Sequence, residues 1–329
     1  MKKKIALVTG GFTGEFPVSL KSSETVIKNL DHQKYDLYKI IITKESWYYT
    51  DDQGAKLEIN RHDFSLNLQG ETIRFDAVFI CLHGSPGEDG KLQGYFEMLD
   101  IPYTTCDSVT SALTMNKAYT KAVVADIDHL NLARSIQLFS NDPEKIGFIQ
   151  QELTLPYFVK TNQGGSSIGM SKVKTARELP EALAKAFQED SQVLVEEFIE
   201  GREFSIGVYK GRQGITVLPA TEVIPSREFF DYDAKYTAGL TEEITPGRMS
   251  EEEQRRVTGI VKQVYEKLNC RGVVRIDYFL QKETGKFYFI EINTVPGQTE
   301  QSFIPQQVRA TGQKLGDFYG ELIEVVLKP

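Results

Sequence analysis

No apolar run in this sequence approaches the roughly 18 residues that a membrane-spanning helix requires, which excludes a membrane partner. Met1 to Lys4 leads into a strand-like segment rather than a signal-peptide core, so the expected location is cytoplasmic. Cysteine is scarce: Cys81, Cys106 and Cys270 are far apart and show no CxxC pairing. That excludes a disulfide framework and a cysteine metal site, and leaves reduced, buried packing residues. Basic runs are missing as well, and the net charge is -8. Binding to a phosphate backbone needs clustered Lys and Arg, so nucleic acid is excluded and a small-molecule partner is expected. Internal repeats and low-complexity tracts are also absent. What remains is a chain of 329 residues, 40% hydrophobic, long enough for a substantial core and for two or three domains.

The run Lys4-Ile5-Ala6-Leu7-Val8-Thr9 reads as a buried strand, followed by a Gly10-Gly11 turn and a helix over about 18–30. Strands at 37–42 and 77–82 continue the alternation and predict an open parallel sheet wrapped by helices. Residues 47–70 between them read as polar and irregular. The stretch 108–125 reads as one helix, 142–150 as another, and Tyr157 to Thr161 as a strand entering Gly164-Gly165-Ser166-Ser167-Ile168-Gly169. A strand resumes at 170–173, so this loop joins two strands, whereas a Walker loop opens a helix. That pattern predicts an α+β middle domain. Further on come a strand at 193–197, several strands from Glu203, a polar stretch at 226–240 and a helix over 251–268. A hairpin pairing 272–281 with 286–293 closes the pattern.

Lys160 ends its strand, and four residues later the glycine–serine loop exposes backbone N–H groups that can converge on an anion. Glycine permits the close approach of such a cradle and lysine supplies the point charge, an arrangement suited to nucleotide phosphates. Taken alone, the loop reads equally well as an ordinary hairpin. Its company comes later: Asp277 on one strand of the hairpin, Glu291 and Asn293 two apart on the other. Three oxygen donors without His or Cys select magnesium. Ile276, Phe279, Ile290 and Ile292 alternate with them and predict a packed opposite face. Arg275 shares the Asp277 face and is a candidate oxyanion stabiliser, although an Arg beside an Asp is more often a structural ion pair. Glu196, at a strand end near a domain junction, can accept from an adenine amino group, although two acidic residues at a strand end are more often simply solvated. His83 opens a turn at the strand edge where open sheets bind ligands, or simply caps the next helix.

Together these segments resemble the D-alanine–D-alanine ligases of the ATP-grasp superfamily over nearly the whole chain. The resemblance is carried by Gly14-Glu15-Phe16-Pro17-Val18-Ser19-Leu20, by His83-Gly84 through Glu88-Asp89-Gly90-Lys91-Leu92-Gln93-Gly94, and by Ser111 to Lys117. The serine loop, Asp231-Tyr232-Asp233-Ala234-Lys235-Tyr236, Arg275-Ile276-Asp277 and Glu291 to Gly297 follow in the same order. Phe16-Pro17 departs from a usually charged stretch, and Gln301 stands where a histidine is common. The implied architecture is α/β and α+β, three-domain ATP-grasp, with an N-terminal open parallel-sheet domain. Its units would be 1–107 (N-terminal), 108–198 (central) and 199–329 (C-terminal, with the metal and substrate site).

The resemblance implies that Lys117 and Lys160 contact ATP phosphates, with Ser167 in the same loop, while Glu196, Glu197, Phe198 and Ile199 line the adenine and Glu203 meets the ribose. Asp277, Glu291 and Asn293 would hold two magnesium (or manganese) ions. Glu15 would hold the ammonium of the first D-alanine, completed by Ser166 and Tyr236. Arg275 and the Gly297 backbone would stabilise an oxyanion, and His83, Ser302 and Phe303 would contact substrate. Ser226 to Leu240 resembles the family's lid, from which Lys235 would reach the transferred phosphate. The implied reaction joins two D-alanines through an acyl phosphate for cell-wall precursor synthesis, in a homodimer. A D-alanine–D-lactate or D-alanine–D-serine ligase is the near alternative, against which Tyr236 speaks. A non-catalytic ATP-binding module is the distant one, and it should lack some phosphate or metal ligands.

Overall fold

Strand β1 (Lys3–Gly10) is fully buried from Ile5 to Val8 because both of its faces are covered. The computed structural model describes residues 2–165, 168–225 and 241–327. Helix α1 (Phe16–Asn29) follows β1, which pairs in parallel with β2 (Tyr35–Ile42) and β7 (Ala77–Ile80), as the alternating pattern predicts. Residues 47–70 are not irregular. They form β3 (Trp47–Thr50), β4 (Lys56–Asn60) and β5 (Ser65–Leu68), and with β6 (Glu71–Ile73) make an antiparallel meander that extends the sheet in the order β6-β5-β4-β3-β2-β1-β7. An aromatic cluster packs beneath it, with Trp47 edge-on to Tyr95 at 5.2 Å and Phe64 edge-on to Phe96 at 4.8 Å.

Helix α2 (Lys91–Met98) is followed by α3 (Ser108–Met115) and α4 (Lys117–Val124), so the single helix expected over 108–125 is two. Asn116 breaks it. Its backbone is extended (φ −91°, ψ 104°), and its side chain accepts from the Tyr119 N–H, capping α4. Lys117 thereby becomes the first residue of a helix instead of a mid-helix surface lysine.

Strand β8 (Leu130–Leu132) leads into the second sheet: β9 (Ser135–Leu138), β10 (Tyr157–Thr161), β11 (Ser171–Val173) and β12 (Val193–Glu197), in the order β11-β10-β12-β9. Helices α5 (Glu144–Glu152) and α6 (Leu179–Glu189) cover one face of it. The third sheet contains β13 (Gly201–Gly211), with β14 (Gly214–Val217) paired to it, β15 (Thr221–Pro225), β16 (Thr241–Ile244), β17 (Val273–Gln281) and β18 (Phe287–Asn293). Strand β8 pairs with β18, so residues 130–132 complete this sheet although they lie within the stretch 108–198. Helix α7 (Glu251–Lys267) packs on it, its start fixed by a reciprocal cap between Ser250 and Glu253. Helices α8 (Phe303–Ala310) and α9 (Leu315–Val326) return to the first sheet, where Phe318 and Tyr319 share a core with Ile5, Leu7 and Val26. The two ends of the chain are thus packed together.

The β17–β18 hairpin carries a bulge. Asp277 faces Glu291 and Tyr278 faces Phe289, leaving Ile290 without a partner. Ile276 and Ile292 lie in the core as expected. Phe279 and Ile290, expected on that same packed side, line a cleft instead. Phe279 lies two residues beyond Asp277 and shares its face; Ile290 is turned out by the bulge.

Candidate active site

Two cavities, of about 800 and 760 Å³, meet between the three sheets. The first is lined by Glu15, His83, Glu88, Asn293, Gly297 and Ser302. The second lies between the second and third sheets, with apolar walls from Phe158, Ile168, Met170, Phe198, Ile199 and Ile290. Glu196, Glu197, Glu203, Lys160 and Asp277 also line it. Both cavities share Lys117, Gly164, Gly165, Arg275, Glu291 and Phe303. A long apolar slot that ends in lysines and carboxylates has the chemistry of a nucleotide site, with its base buried and its phosphates at the shared end.

The shared end is built by strand register and by the break before α4. Lys117 donates to the Gly164 carbonyl at 2.6 Å, and its ammonium lies 3.6 Å from Glu291. The α4 start is docked on the end of β10 by the Ala118 N–H donating to the Asn162 side chain at 2.9 Å. Asp277 accepts from the Ser205 hydroxyl at 2.6 Å and from Arg275 through Nε (3.0 Å) and Nη2 (2.9 Å). Asn293 lies 3.4 Å from the same carboxylate. Arg275 is therefore the ion-pair partner of Asp277 and a wall of both cavities at once. The neighbouring Asp277 and Glu291 carboxylates outweigh its burial and raise its pKa further.

The oxygen donors fit a magnesium ion that also takes nucleotide phosphates. Among the described residues no group of three or more His, Cys, Asp or Glu side chains comes together; the set is two carboxylates and an amide. Magnesium is held in this way when phosphate oxygens complete its shell, and an all-protein cage is not needed.

In the first cavity Glu15 stands at the N-cap of α1 without capping it, beside the Gly84 turn. A Cβ at Gly84 would fall 2.9 Å from the Glu15 carboxylate and 2.6 Å from the Thr13 hydroxyl, and φ is +68° there, so only glycine fits. His83 is buried with both ring nitrogens used: Nδ1 lies 2.8 Å from the Val295 carbonyl and Nε2 3.0 Å from the Ser22 hydroxyl. Nδ1–H donates and Nε2 accepts in a neutral ring, which burial favours by lowering its pKa. His83 thus touches the cavity but braces the Val295 peptide. Glu88 takes the other side of that peptide, accepting from the N–H groups of Val295 (3.3 Å) and Gly84 (2.8 Å). Burial, and then the charge of Glu15, push its carboxyl up to about 8. Ser302 caps no N–H of α8, and its hydroxyl meets Thr299. A Cβ at Gly297 would fall 2.8 Å from that hydroxyl. The ring of Phe303 lies under the Arg275 guanidinium at 5.5 Å.

Glu15, Lys117, Arg275, Asp277, Glu291, Asn293, Gly297, Ser302 and Phe303 are thus brought together around the junction. Lys160 and Glu196 meet farther along the slot, paired with each other and with Lys121. Against its burial, Lys160 and then Lys121 hold the Glu196 carboxyl down at about 2. Ser166, Ser167, Lys235, Tyr236 and the stretch 226–240 lie outside the described residues. Sequence reasoning missed Lys121, Glu88 and Lys172, whose ammonium sits 3.7 Å over the Phe198 ring. Lys121 is one helical turn from Lys117, and Glu88 sits in the turn after His83; those positions were the available signals.

Comparison with known proteins bears on the family and the fold. The family model described as D-ala D-ala ligase N-terminus matches residues 4–106, and the one described as D-ala D-ala ligase C-terminus matches residues 124–324. A D-alanine–D-alanine ligase of Bacteroides fragilis is 43% identical over 98% of this chain and 99% of its own. One from Parabacteroides distasonis is 42% identical over 100% and 98%. Among solved structures, the VanG D-Ala:D-Ser ligase from Enterococcus faecalis superimposes with a TM-score of 0.89 at 32% identity, over 99% of this chain and all of its own. D-alanyl-alanine synthetase A from Vibrio cholerae gives 0.89 at 28% identity, over 99% and 98%. The chain belongs to the D-alanine–D-alanine ligase family and has that family's ATP-grasp fold.

Proposed function

We propose that the chain joins two D-alanine molecules into D-alanyl-D-alanine for peptidoglycan precursors, consuming one ATP per bond. The observation that carries this is the junction of two cavities, one anionic at Glu15, the other walled by apolar side chains that suit an adenine, at Lys117, Arg275 and Glu291. A carboxylate is a poor acylating agent. The carboxylate of the first D-alanine, its ammonium held by Glu15, therefore attacks the γ-phosphate and yields an acyl phosphate and ADP. Lys117 and Lys160 offset the charge of the transferred group. Asp277, Glu291 and Asn293 would hold two magnesium or manganese ions, which when bound neutralise phosphate oxygens.

The amine of the second D-alanine, its carboxylate at Ser302, then attacks the acyl carbon. Arg275 and the Gly297 N–H support the oxyanion, and inorganic phosphate leaves. His83 and Glu88 hold the carbonyl and the N–H of Val295, two residues before Gly297, and so brace the backbone that leads to the Gly297 N–H. Among the described residues no helix is long and apolar enough to cross a membrane; a cytoplasmic homodimer completes the reading.

Phosphate release from magnesium-ATP, measured with D-alanine alone and then with D-lactate or D-serine added, tests it. Turnover with D-alanine alone, giving a product of the mass of D-alanyl-D-alanine, is expected. Turnover that requires D-lactate or D-serine would move the chain to the depsipeptide or D-Ala:D-Ser branch and overturn the second-substrate assignment. The curated relatives at 42–43% identity are D-alanine–D-alanine ligases, which favours the first outcome, although among solved structures the D-Ala:D-Ser enzyme is 32% identical and the Vibrio cholerae synthetase 28%.

A further inference from the structure

Glu196 carries a lysine on each carboxylate oxygen, and the two lysines are not equivalent. Lys121 approaches Oε1 from α4, and its ammonium also donates to the Ala133 carbonyl and the Ser135 hydroxyl, each at 2.8 Å. All three of its protons are committed, and its side chain is 7% exposed. Lys160 approaches Oε2 from β10 and stands on the wall of the nucleotide cavity. Ala133 lies in the link between β8, in the third sheet, and β9, in the second; Ser135 opens β9 and pairs with Glu196 across the β9–β12 ladder. Lys121 therefore sits where the two sheets that wall the nucleotide cavity are joined.

Leaving a buried carboxylate without a countercharge is strongly unfavourable. With Lys160 as its sole partner, Glu196 would compete with a nucleotide for that lysine. A second lysine, fixed from behind, removes the competition.

We infer that Lys121 is a positioning residue for the nucleotide site, the standing counter-ion of Glu196, which frees Lys160 to pair with a polyphosphate without leaving a buried carboxylate unpaired. This rests on the nucleotide reading of the second cavity. The ionisation of Glu196 into strong acid agrees with two opposing charges, since burial alone would push the other way.

The test uses the full chain and a non-hydrolysable magnesium-ATP analogue, with binding measured by calorimetry beside steady-state kinetics. K121M should weaken analogue binding and raise KM for ATP at least tenfold, while KM for D-alanine stays within twofold. The same substitution placed in an E196Q background should cost less than threefold relative to E196Q alone, because no carboxylate then needs Lys160. Equal losses in both backgrounds would mean that Lys121 only supports the fold, and would overturn the inference. So would unchanged analogue binding by K121M. If K121M does not fold, K121Q is held to the same thresholds. A wild-type chain that binds no analogue would overturn the functional reading and this inference together; wild-type binding with an indifferent K121M overturns the inference alone.

Discussion

Gly297 shows how little room the acyl-transfer end allows. A Cβ there would press on the Ser302 hydroxyl at 2.8 Å, so G297A should displace either the loop or Ser302. Ligation should fall by about a hundredfold, the order seen when one oxyanion donor is lost, while nucleotide binding measured directly stays intact. Glu222 offers a cleaner electrostatic test. Burial resists its ionisation, but Arg202 and Arg248 outweigh this and hold its carboxyl at about 2 against an ordinary 4.5. Its folded pKa is depressed, so its stabilising contribution is complete above pH 4.5 and disappears as pH falls through about 2. E222Q should therefore unfold more readily than wild type at neutral pH, with the gap between their denaturation curves closing across that window. Most of the junction residues were legible because strand alternation and short motifs fix their faces. Lys121 was not, since its meaning comes from Glu196, 75 residues away, and nothing local announces that pairing.

At the scale of elements, the bulge puts Ile290 into the wall of the second cavity. Deleting Ile290, the unpaired residue, would leave Asp277 opposite Glu291 and Tyr278 opposite Phe289, so the strand keeps its register and loses only that wall. The deletion and I290A should therefore weaken binding of a magnesium-ATP analogue to a similar, several-fold extent, with the magnesium dependence retained. Ser250, the cap of α7, lines neither cavity, although Arg248 two residues before it lines the second. S250A should cost about 1 kcal/mol in chemical denaturation and leave activity unchanged. The strands of the parallel centre were readable from continuous apolar runs such as Ile5 to Val8. The β3–β6 meander was not, because strands of three to five residues with mixed patterns owe their form to pairing with β2 and to the aromatic cluster below. The Asn116 break was missed for a related reason: an Asn within an apolar-periodic stretch reads as a surface residue until its cap is seen.

At the scale of the molecule, the first cavity is walled by Glu15, His83 and Glu88 beside the first sheet and by Arg275, Glu291 and Asn293 of the third, and the second cavity by the second and third sheets, so the proposed catalysis depends on how the sheets are joined. His83 and Glu88, which follow β7 of the first sheet, grip Val295, which follows β18 of the third. H83A should therefore lower ligation at saturating ATP at least tenfold while leaving analogue affinity within twofold; a matching loss of nucleotide affinity would show that the brace acts on the whole cleft. Six residues, Arg275 among them, line both cavities, so the two chambers lie side by side, which has a pharmacological consequence. Two weak fragments, one amino-acid-like and one adenine-like, would be held one residue's breadth apart. A tether matched to that span would make the second contact intramolecular, and inhibitor affinity should rise by roughly a hundred- to ten-thousandfold over either fragment.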